Sequence, residues 1–201
     1  MKTVQLFTSA LLVAALAGCA QPTPIYVPQP LPQPQQPQPQ QPMYPPGNTL
    51  DNAIDQFVAR GNNPMMGLSL NMYNSDLRIG ELFNMSLATS QDAYLHLYLF
   101  QHSGPVIALT ENLAVRGGRA IPFPPSSYKL RAHPPTGNNK LLLIATPRPI
   151  AGVVLRNTRT LRQPTNIRGS EFAAVDAIVR QVAPFADSEW SAVVRDVFVH
   201  P

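Results

Sequence analysis

The stretch Tyr94-Leu95-His96-Leu97-Tyr98-Leu99-Phe100 decides the fold class of this chain. Its three leucines alternate with aromatic and histidine side chains. This period of two residues is that of a β-strand, in which successive side chains point to opposite faces of a sheet. Residues 68–72 alternate apolar and polar side chains in the same way. The two stretches therefore predict a fold that is built mainly from strands.

Further short strands are predicted around this stretch, with turn residues between them. Clusters such as Ser103-Gly104-Pro105, Gly117-Gly118 and Pro134-Pro135-Thr136-Gly137-Asn138 separate the strands at near-regular intervals. The predicted strands are residues 66–73, 82–88, 94–100, 106–109, 119–123, 128–132 and 140–146. Short strands at this spacing predict an antiparallel β-sandwich of immunoglobulin-like architecture within residues 49–201.

One or two helices are expected to flank the sandwich. Apolar residues at helical spacing follow Asn48 and Thr49, two possible N-caps, and Gly61 offers a stop. Ser170 can cap a second helix. The apolar face predicted for this second helix consists of Phe172, Val175, Ile178, Val179 and Val182. A last strand at residues 191–199 would close the sheet, with Trp190 in the core.

The order of features in the middle of the chain resembles a known family. The segments that carry the resemblance are Gly80-Glu81, Ala93-Tyr94-Leu95-His96-Leu97-Tyr98, Ser103-Gly104, Leu109-Thr110-Glu111-Asn112, Arg119-Ala120-Ile121-Pro122, Pro134-Pro135-Thr136-Gly137, and Leu141-Leu142-Leu143-Ile144-Ala145-Thr146 with Pro149. In this order they are similar to the domain-of-unknown-function 4384 (DUF4384) family over about residues 66–150. The resemblance implies a bacterial envelope domain, often carried on a lipoprotein, that has no established catalytic machinery. It therefore assigns no functional residue in this chain.

Residues 1–18 have the organisation of a secretory signal. Lys2 precedes an apolar run over residues 4–17, which ends in small residues. The sequence Leu16-Ala17-Gly18-Cys19 contains the only cysteine of the 201 residues and resembles the lipobox of bacterial lipoproteins. The resemblance implies cleavage after Gly18 and acylation of Cys19, which would anchor the protein to a membrane. The alternative is a chance cysteine in a signal sequence.

The residue after this cysteine is Ala20 rather than aspartate, which by the same resemblance favours the outer membrane. With Cys19 acylated, the mature chain has no thiol for a disulfide, a thiolate metal site or a cysteine nucleophile. Residues 19–48 form a linker rich in proline and glutamine, with no charged residue before Asp51. This composition favours extended polyproline II, so we expect a disordered, semi-rigid tether. A proline-rich stretch can also be a ligand for an aromatic groove.

Charge is unevenly distributed along the predicted domain. Ten basic residues and no acidic residue lie between Asn112 and Ser170. A surface of one sign of charge attracts anionic partners. Because alternate strand residues face solvent, several of these side chains should share a surface; the alternative is that they are spread and matched by carboxylates elsewhere. The expected contributors to this binding surface are Arg116, Arg119, Arg131, Arg148, Arg156 and Arg159.

The candidate partners of such a basic surface are anionic components of a cell envelope. They are lipopolysaccharide phosphates, peptidoglycan carboxylates and acidic surface-layer proteins. Nucleic acid is not expected, because aromatic residues do not interleave with the basic ones in the way that stacks bases.

Motifs for catalysis are weak in this chain. There is no Gly-x-Ser-x-Gly elbow, no His-Glu-x-x-His and no glycine-rich phosphate loop, which argues against an ordinary hydrolase. The alternative site is formed by His96, His102 and His133, whose imidazoles would bind copper or zinc if they met at a sandwich edge. Copper with open coordination supports redox chemistry such as superoxide dismutation. No histidine pair has close His-x-His spacing, so isolated surface histidines are the competing interpretation.

The sequence therefore predicts a lipid-anchored, non-enzymatic envelope protein. Its tether would present a β-sandwich for binding within a surface or outer-membrane assembly. Two alternatives stay open: a copper-binding protective protein, and a purely structural spacer domain.

Overall fold

The computed structural model describes residues 49–61 and 63–201. The predicted signal peptide, the predicted acylation site at Cys19 and the predicted linker at residues 19–48 lie outside the described residues. The elements of the described part are α1 (Leu50–Arg60), β1 (Ser69–Met72), β2 (Asp76–Arg78), β3 (Met85–Ala88), β4 (Ala93–Phe100), β5 (Val106–Val115), β6 (Ile121–Phe123), β7 (Gly137–Thr146), β8 (Thr165–Asn166), α2 (Glu171–Val182) and β9 (Ser191–His200). Neither helix in this part of the chain has the length and apolar character needed to cross a bilayer.

The strands form two sheets. A small sheet has the order β1-β3-β6, and a large sheet has the order β2-β9-β7-β4-β5-β8. The predicted mainly β, sandwich-like fold with flanking helices is confirmed. Neighbouring strands are antiparallel except for β2 and β9, which are parallel. The chain crosses between the sheets from β1 to β2, so β2 meets a strand from the far end of the chain and no hairpin sets its direction.

The large sheet has a hydrophobic core on each of its faces. On one face, the three leucines of β4 pack with Met85 and Leu87 of the small sheet. On the opposite face, Tyr98 and Phe100 of β4 pack with residues of both helices. The alternation read from the sequence of β4 is thus the alternation between two cores. The described domain consequently has three layers: the small sheet, the large sheet and the helices.

Both predicted helices are present, and their caps are the expected ones. The hydroxyl of Thr49 accepts a hydrogen bond from the backbone N–H of Asn52 at 3.2 Å, and α1 ends at Gly61. The hydroxyl of Ser170 accepts from the backbone N–H of Ala173 at 3.2 Å at the start of α2. On α2 the predicted apolar face is buried except for Phe172, which is 38% exposed.

The prediction of a core position for Trp190 is also confirmed. This side chain is 1% exposed. Its ring centroid lies 4.8 Å from that of Phe57 on α1. The start of β9 and the first helix are therefore packed together.

Some strand predictions are wrong. Residues 128–132 form no strand, and their one bridge joins Arg131 to Leu82. The backbone N–H of Tyr128 donates to the carbonyl of Pro125 in a turn, and Leu130 and Ala132 make three backbone hydrogen bonds to residues 80–83. The short edge strands β2 and β8 were not predicted, and β5 extends six residues beyond the predicted end at residue 109.

Candidate functional site

The pairing of β5 with β4 is interrupted at Glu111 and Asn112. Leu95 is opposite Leu113 and Leu97 is opposite Thr110, so two residues of β5 face one residue of β4. This arrangement is a β-bulge. Asn112 has φ 56°, in the left-handed region that asparagine tolerates better than most side chains. The bulge turns both polar residues into the protein, where each is at most 2% exposed.

The carboxylate of Glu111 is fully buried and accepts three hydrogen bonds. The Tyr98 hydroxyl donates to Oε1 at 3.0 Å. The backbone N–H groups of Val153 and Val154 donate at 2.7 and 3.3 Å. No lysine or arginine among the described residues lies within salt-bridge distance of it, so these dipoles replace the water that the carboxylate lost. Burial and the neighbouring carboxylate raise the pKa of Tyr98, which keeps the phenol protonated as a donor.

Gly152 allows the loop that follows β7, residues 147–162, to approach the carboxylate of Glu111. A Cβ at this position would come within 2.6 Å of Oε2 of Glu111, and the backbone has φ +76°. Both conditions favour glycine. The close approach brings the N–H groups of the next two residues onto the carboxylate.

The side-chain amide of Asn112 binds the same loop a few residues earlier. Its Nδ2 donates to the carbonyl of Ile150 at 2.9 Å, and its Oδ1 accepts from the N–H of Ile150 at 2.9 Å. The Asn112 carbonyl accepts from the hydroxyl of Thr160 at 2.8 Å. The backbone N–H of Leu161 donates to the carbonyl of Glu111 at 2.9 Å. The loop is therefore held to the bulge near both of its ends.

His96 lies opposite the bulge and is fully buried. Its Nδ1 accepts from the backbone N–H of Asn112 at 3.1 Å, so the ring proton is on Nε2, which lies 3.0 Å from the hydroxyl of Thr146. That hydroxyl donates to the carbonyl of Arg148 at 2.8 Å. Burial lowers the pKa of His96 to about 3, so the imidazole is neutral. We call His96, Tyr98, Glu111, Asn112 and Thr146 the buried polar cluster.

The segment that this cluster holds is residues 147–162, which we call the arginine loop. Ile150, Val153, Val154 and Leu161 turn inward to the helix-side core. The arginines of the loop are all exposed: Arg148, Arg156, Arg159 and Arg162. The chemistry available to a partner at this site is thus that of guanidinium groups on a fixed support.

Comparison with known families identifies part of this architecture. Residues 76–149 match the model of the family described as Domain of unknown function (DUF4384). The chain carries a DUF4384-like domain. No curated protein matches the chain. The DUF4384-like segment contains β2 to β7 with the bulge, and most of the arginine loop follows it.

The six predicted arginines lie on several parts of the described domain. Arg116, inside the DUF4384-like segment, lines a hollow with Ala93 and Tyr94 at the start of β4. Arg131 lines another with Leu99, close to the end of β4. These two arginines therefore lie near opposite ends of one strand, in separate hollows. Arg148, Arg156 and Arg159 belong to the arginine loop, and Arg119 lies in the turn between β5 and β6.

Most of the basic side chains between Asn112 and Ser170 form no ion pair with a carboxylate in the described part of the chain. Of its ten basic side chains, Lys140 has carboxylates within 4.0 Å, those of Asp196 at 2.9 Å and Asp51 at 3.5 Å. The guanidinium of Arg148 lies 4.9 Å from the centre of the Phe185 ring. The alternative that carboxylates elsewhere match the positive charges therefore applies to one of the ten residues.

The three predicted metal ligands lie in different surroundings. His96 is buried with both ring nitrogens engaged. His102 is exposed beyond the end of β4, where its backbone N–H donates to Oδ1 of Asn139 at 2.9 Å. His133 is exposed and lines the same hollow as Arg131. Within residues 49–61 and 63–201, no three His, Cys, Asp or Glu side chains are grouped so as to hold a metal ion.

The sequence reasoning missed the buried polar cluster. The available signal was the Glu111-Asn112 pair, since a carboxylate and an amide interrupt an apolar strand there. Glu111 is also the last acidic residue before the basic stretch. Its hydrogen-bond partners lie up to 43 residues away in the chain, and no local pattern reveals them.

Proposed function

We propose that this protein is a lipid-anchored, non-enzymatic cell-envelope protein that presents its β-sandwich for binding within a surface or outer-membrane assembly. The observation that carries the binding role is the arginine loop. Its four arginines are exposed, and none has a carboxylate within 4.0 Å among the described residues.

The support beneath the loop suits it to binding. Glu111 and Asn112 fix its backbone through hydrogen bonds to Ile150, Val153 and Val154. A loop that is already ordered loses less conformational entropy when it binds a partner. Arginine also pairs with carboxylate and phosphate groups through two parallel hydrogen bonds. The proposed partners are therefore anionic envelope polymers or acidic surface-layer proteins.

The anchoring role is supported by the sequence Leu16-Ala17-Gly18-Cys19. Acyl chains on Cys19 would hold the protein to a bilayer, and Ala20 favours the outer membrane. The test is metabolic labelling with palmitate followed by detergent phase partition. Wild-type protein should be labelled and enter the detergent phase, whereas Cys19→Ala should be unlabelled. Label retained in the variant would overturn the assignment.

The binding role is tested by reversing charges on the loop. The triple variant Arg148→Glu, Arg156→Glu and Arg159→Glu should lose co-sedimentation with envelope fragments. The matched control reverses Arg78, Arg180 and Arg195, which are exposed on other elements. Both variants change the net charge by the same amount, so a non-specific effect of charge would weaken them equally. Equal retention of the two variants would contradict the proposal, and thermal melting checks that each is folded.

A further inference from the structure

A groove of about 700 Å³ lies along the outer edge of the sandwich. Leu113 and Ala114 of β5 line one part of it, and β6 lines another. The turn at residues 125–128 and the end of the arginine loop at residues 160–162 complete its wall. This size falls in the range of about 300–1,000 Å³ that is typical of small-molecule sites.

The groove combines flat apolar surfaces with hydroxyl groups. The ring of Tyr128 packs edge-on to Phe123, with centroids 6.3 Å apart and planes at 85°. Pro122 and Pro125 add further apolar surface. Ser126, Ser127 and Thr160 also line the groove, and the Thr160 hydroxyl already donates to the carbonyl of Asn112. Such a lining suits a ligand that has both C–H faces and hydroxyl groups.

The charge of the groove has one sign. Its lining residues other than Thr110 all come from the acid-free stretch between Asn112 and Ser170. Arg162 is the charged residue among them, and no carboxylate of the described residues pairs with it. The phenol of Tyr128 is neutral at pH 7, and burial raises its pKa further, so it does not repel an anion. One guanidinium matches the single charge of a carboxylate, with which it pairs in a bidentate manner.

We propose that this groove binds a carbohydrate that carries a carboxylate group. Arg162 pairs with the carboxylate. Ser126 and Ser127 bond to the sugar hydroxyls, and Tyr128 packs against the C–H face of the ring.

A peptide strand fits this groove less well. The edge strand of the small sheet that lines the groove is β6, and its central residue is Pro122, which has no backbone N–H to donate. Addition of a peptide strand depends on a regular row of such donors and acceptors. A sugar ring does not need a row of backbone donors and acceptors, because side chains bind it.

The inference rests on the proposed binding function and names the ligand class for one part of the site. The experiment is calorimetric titration of the full-length protein in detergent with trigalacturonate, and with N-acetylated chitotriose, which is neutral, as the control sugar. Trigalacturonate should bind and chitotriose should bind at least tenfold more weakly. Arg162→Gln should weaken trigalacturonate binding about tenfold, in line with the loss of a charge-assisted hydrogen bond.

Two further variants make the test specific. Arg168→Gln removes an exposed arginine that does not line the groove and should leave the affinity unchanged. Ser126→Ala combined with Ser127→Ala should weaken binding of trigalacturonate without affecting its preference over chitotriose. Equal binding of the two sugars, or equal loss in Arg162→Gln and Arg168→Gln, would overturn the proposal.

Two co-sedimentation experiments, each with a different insoluble polymer, identify which polymer supplies the ligand. Purified peptidoglycan carries its carboxylates on the peptide stems attached to the sugars, whereas an insoluble uronate polysaccharide carries them on the sugar rings. The arm in which Arg162→Gln loses retention identifies the source. Loss in neither arm would contradict the inference. The triple reversal in the arginine loop leaves Arg162 in place, so failure of the wider binding function and failure of the groove assignment are seen separately.

Discussion

The backbone N–H of Asn112 donates to Nδ1 of His96 across 3.1 Å, and this one hydrogen bond joins the bulge in β5 to the central strand β4. It also fixes the tautomer of the imidazole, since the proton must then be on Nε2. The proton on Nε2 faces the hydroxyl of Thr146, which in turn bonds to the carbonyl of Arg148. A chain of hydrogen bonds therefore runs from the bulge to the first part of the arginine loop.

The first prediction concerns acid stability. Burial lowers the pKa of His96 to about 3 in the folded protein, against 6.5 for an exposed histidine. Between these two values the unfolded chain binds a proton that the folded protein does not bind. The free energy of unfolding should therefore fall as the pH falls from 6.5 towards 3, by up to about 1.4 kcal/mol for each pH unit. Urea unfolding followed by Trp190 fluorescence between pH 7 and pH 4.5 measures this slope.

The control for this prediction is a histidine in a different environment. His133 is exposed, so His133→Gln should keep the wild-type slope. His96→Gln should be less stable at pH 7, because the Asn112 N–H loses its acceptor, but its stability should depend less on pH above 5. The idea fails if His96→Gln and wild type show the same slope over that range.

The second prediction separates two partners of the Glu111 carboxylate. Glu111→Gln places an amide nitrogen against a backbone N–H and should lower the free energy of unfolding by about 1–3 kcal/mol. Tyr98→Phe removes one donor and leaves two N–H groups on the carboxylate, so it should cost about 1 kcal/mol. Hydrogen exchange at the amides of Val153 and Val154 should accelerate in Glu111→Gln and stay slow in Tyr98→Phe. Equal exchange in the two variants would show that the carboxylate does not hold the loop.

The third prediction divides the role of Asn112 into a backbone part and a side-chain part. Asn112→Gly keeps the left-handed backbone conformation but leaves the buried N–H and C=O of Ile150 without partners, at a cost of about 1–3 kcal/mol. Asn112→Ala loses the same bonds and adds a Cβ at φ 56°, so it should be about 1 kcal/mol less stable again. Urea unfolding of the two variants at pH 7 gives both differences. An alanine variant as stable as the glycine variant would argue against strain at this position.

Local patterns in the sequence were sufficient to predict the strand β4 and the two helices, which contact the hydrophobic cores. The alternation in β4 and the caps at Thr49 and Ser170 act within a few residues, so they are visible without the fold. The edge strands β2 and β8 have three and two residues, and they exist because a partner strand is present. Such pairing depends on tertiary structure and leaves no periodic signal.

The same distinction applies to the candidate site. The excess of arginine was visible in the sequence. The sequence did not show that Arg116 and Arg131 lie near opposite ends of β4, because that placement depends on how the strands pair. His96 lies in the predicted strand 94–100 and His102 follows that strand with the same parity, yet His96 is buried and His102 is exposed. Parity along a strand gives the face of a residue, whereas burial depends on the layer that packs on that face. In this protein α1, α2 and the arginine loop supply that layer.

The last prediction concerns the contact between the end of α1 and the start of β9. A Cβ at Gly61 would overlap the six-membered ring of Trp190, which is 1% exposed. Gly61 has φ −85° and ψ 65°, outside the left-handed region that favours glycine, so we expect the contact with Trp190 to be the main cost of Gly61→Ala. Overpacking of this kind typically costs about 1–3 kcal/mol. We expect a loss of that size in urea unfolding, together with a shift in the emission of Trp190, the only tryptophan.

A double-mutant cycle isolates the clash from other effects of the substitution. In a Trp190→Phe background the smaller ring leaves room for the methyl group, so Gly61→Ala should cost less there than in the wild type. Far-ultraviolet circular dichroism follows unfolding in both backgrounds, because the phenylalanine variant lacks the fluorescent reporter. Equal costs in the two backgrounds would mean that Trp190 does not exclude a side chain at position 61. The close approach of α1 to β9 would then depend on the hydrogen bond from the Ala192 N–H to the Gly61 carbonyl, at 2.7 Å, rather than on packing.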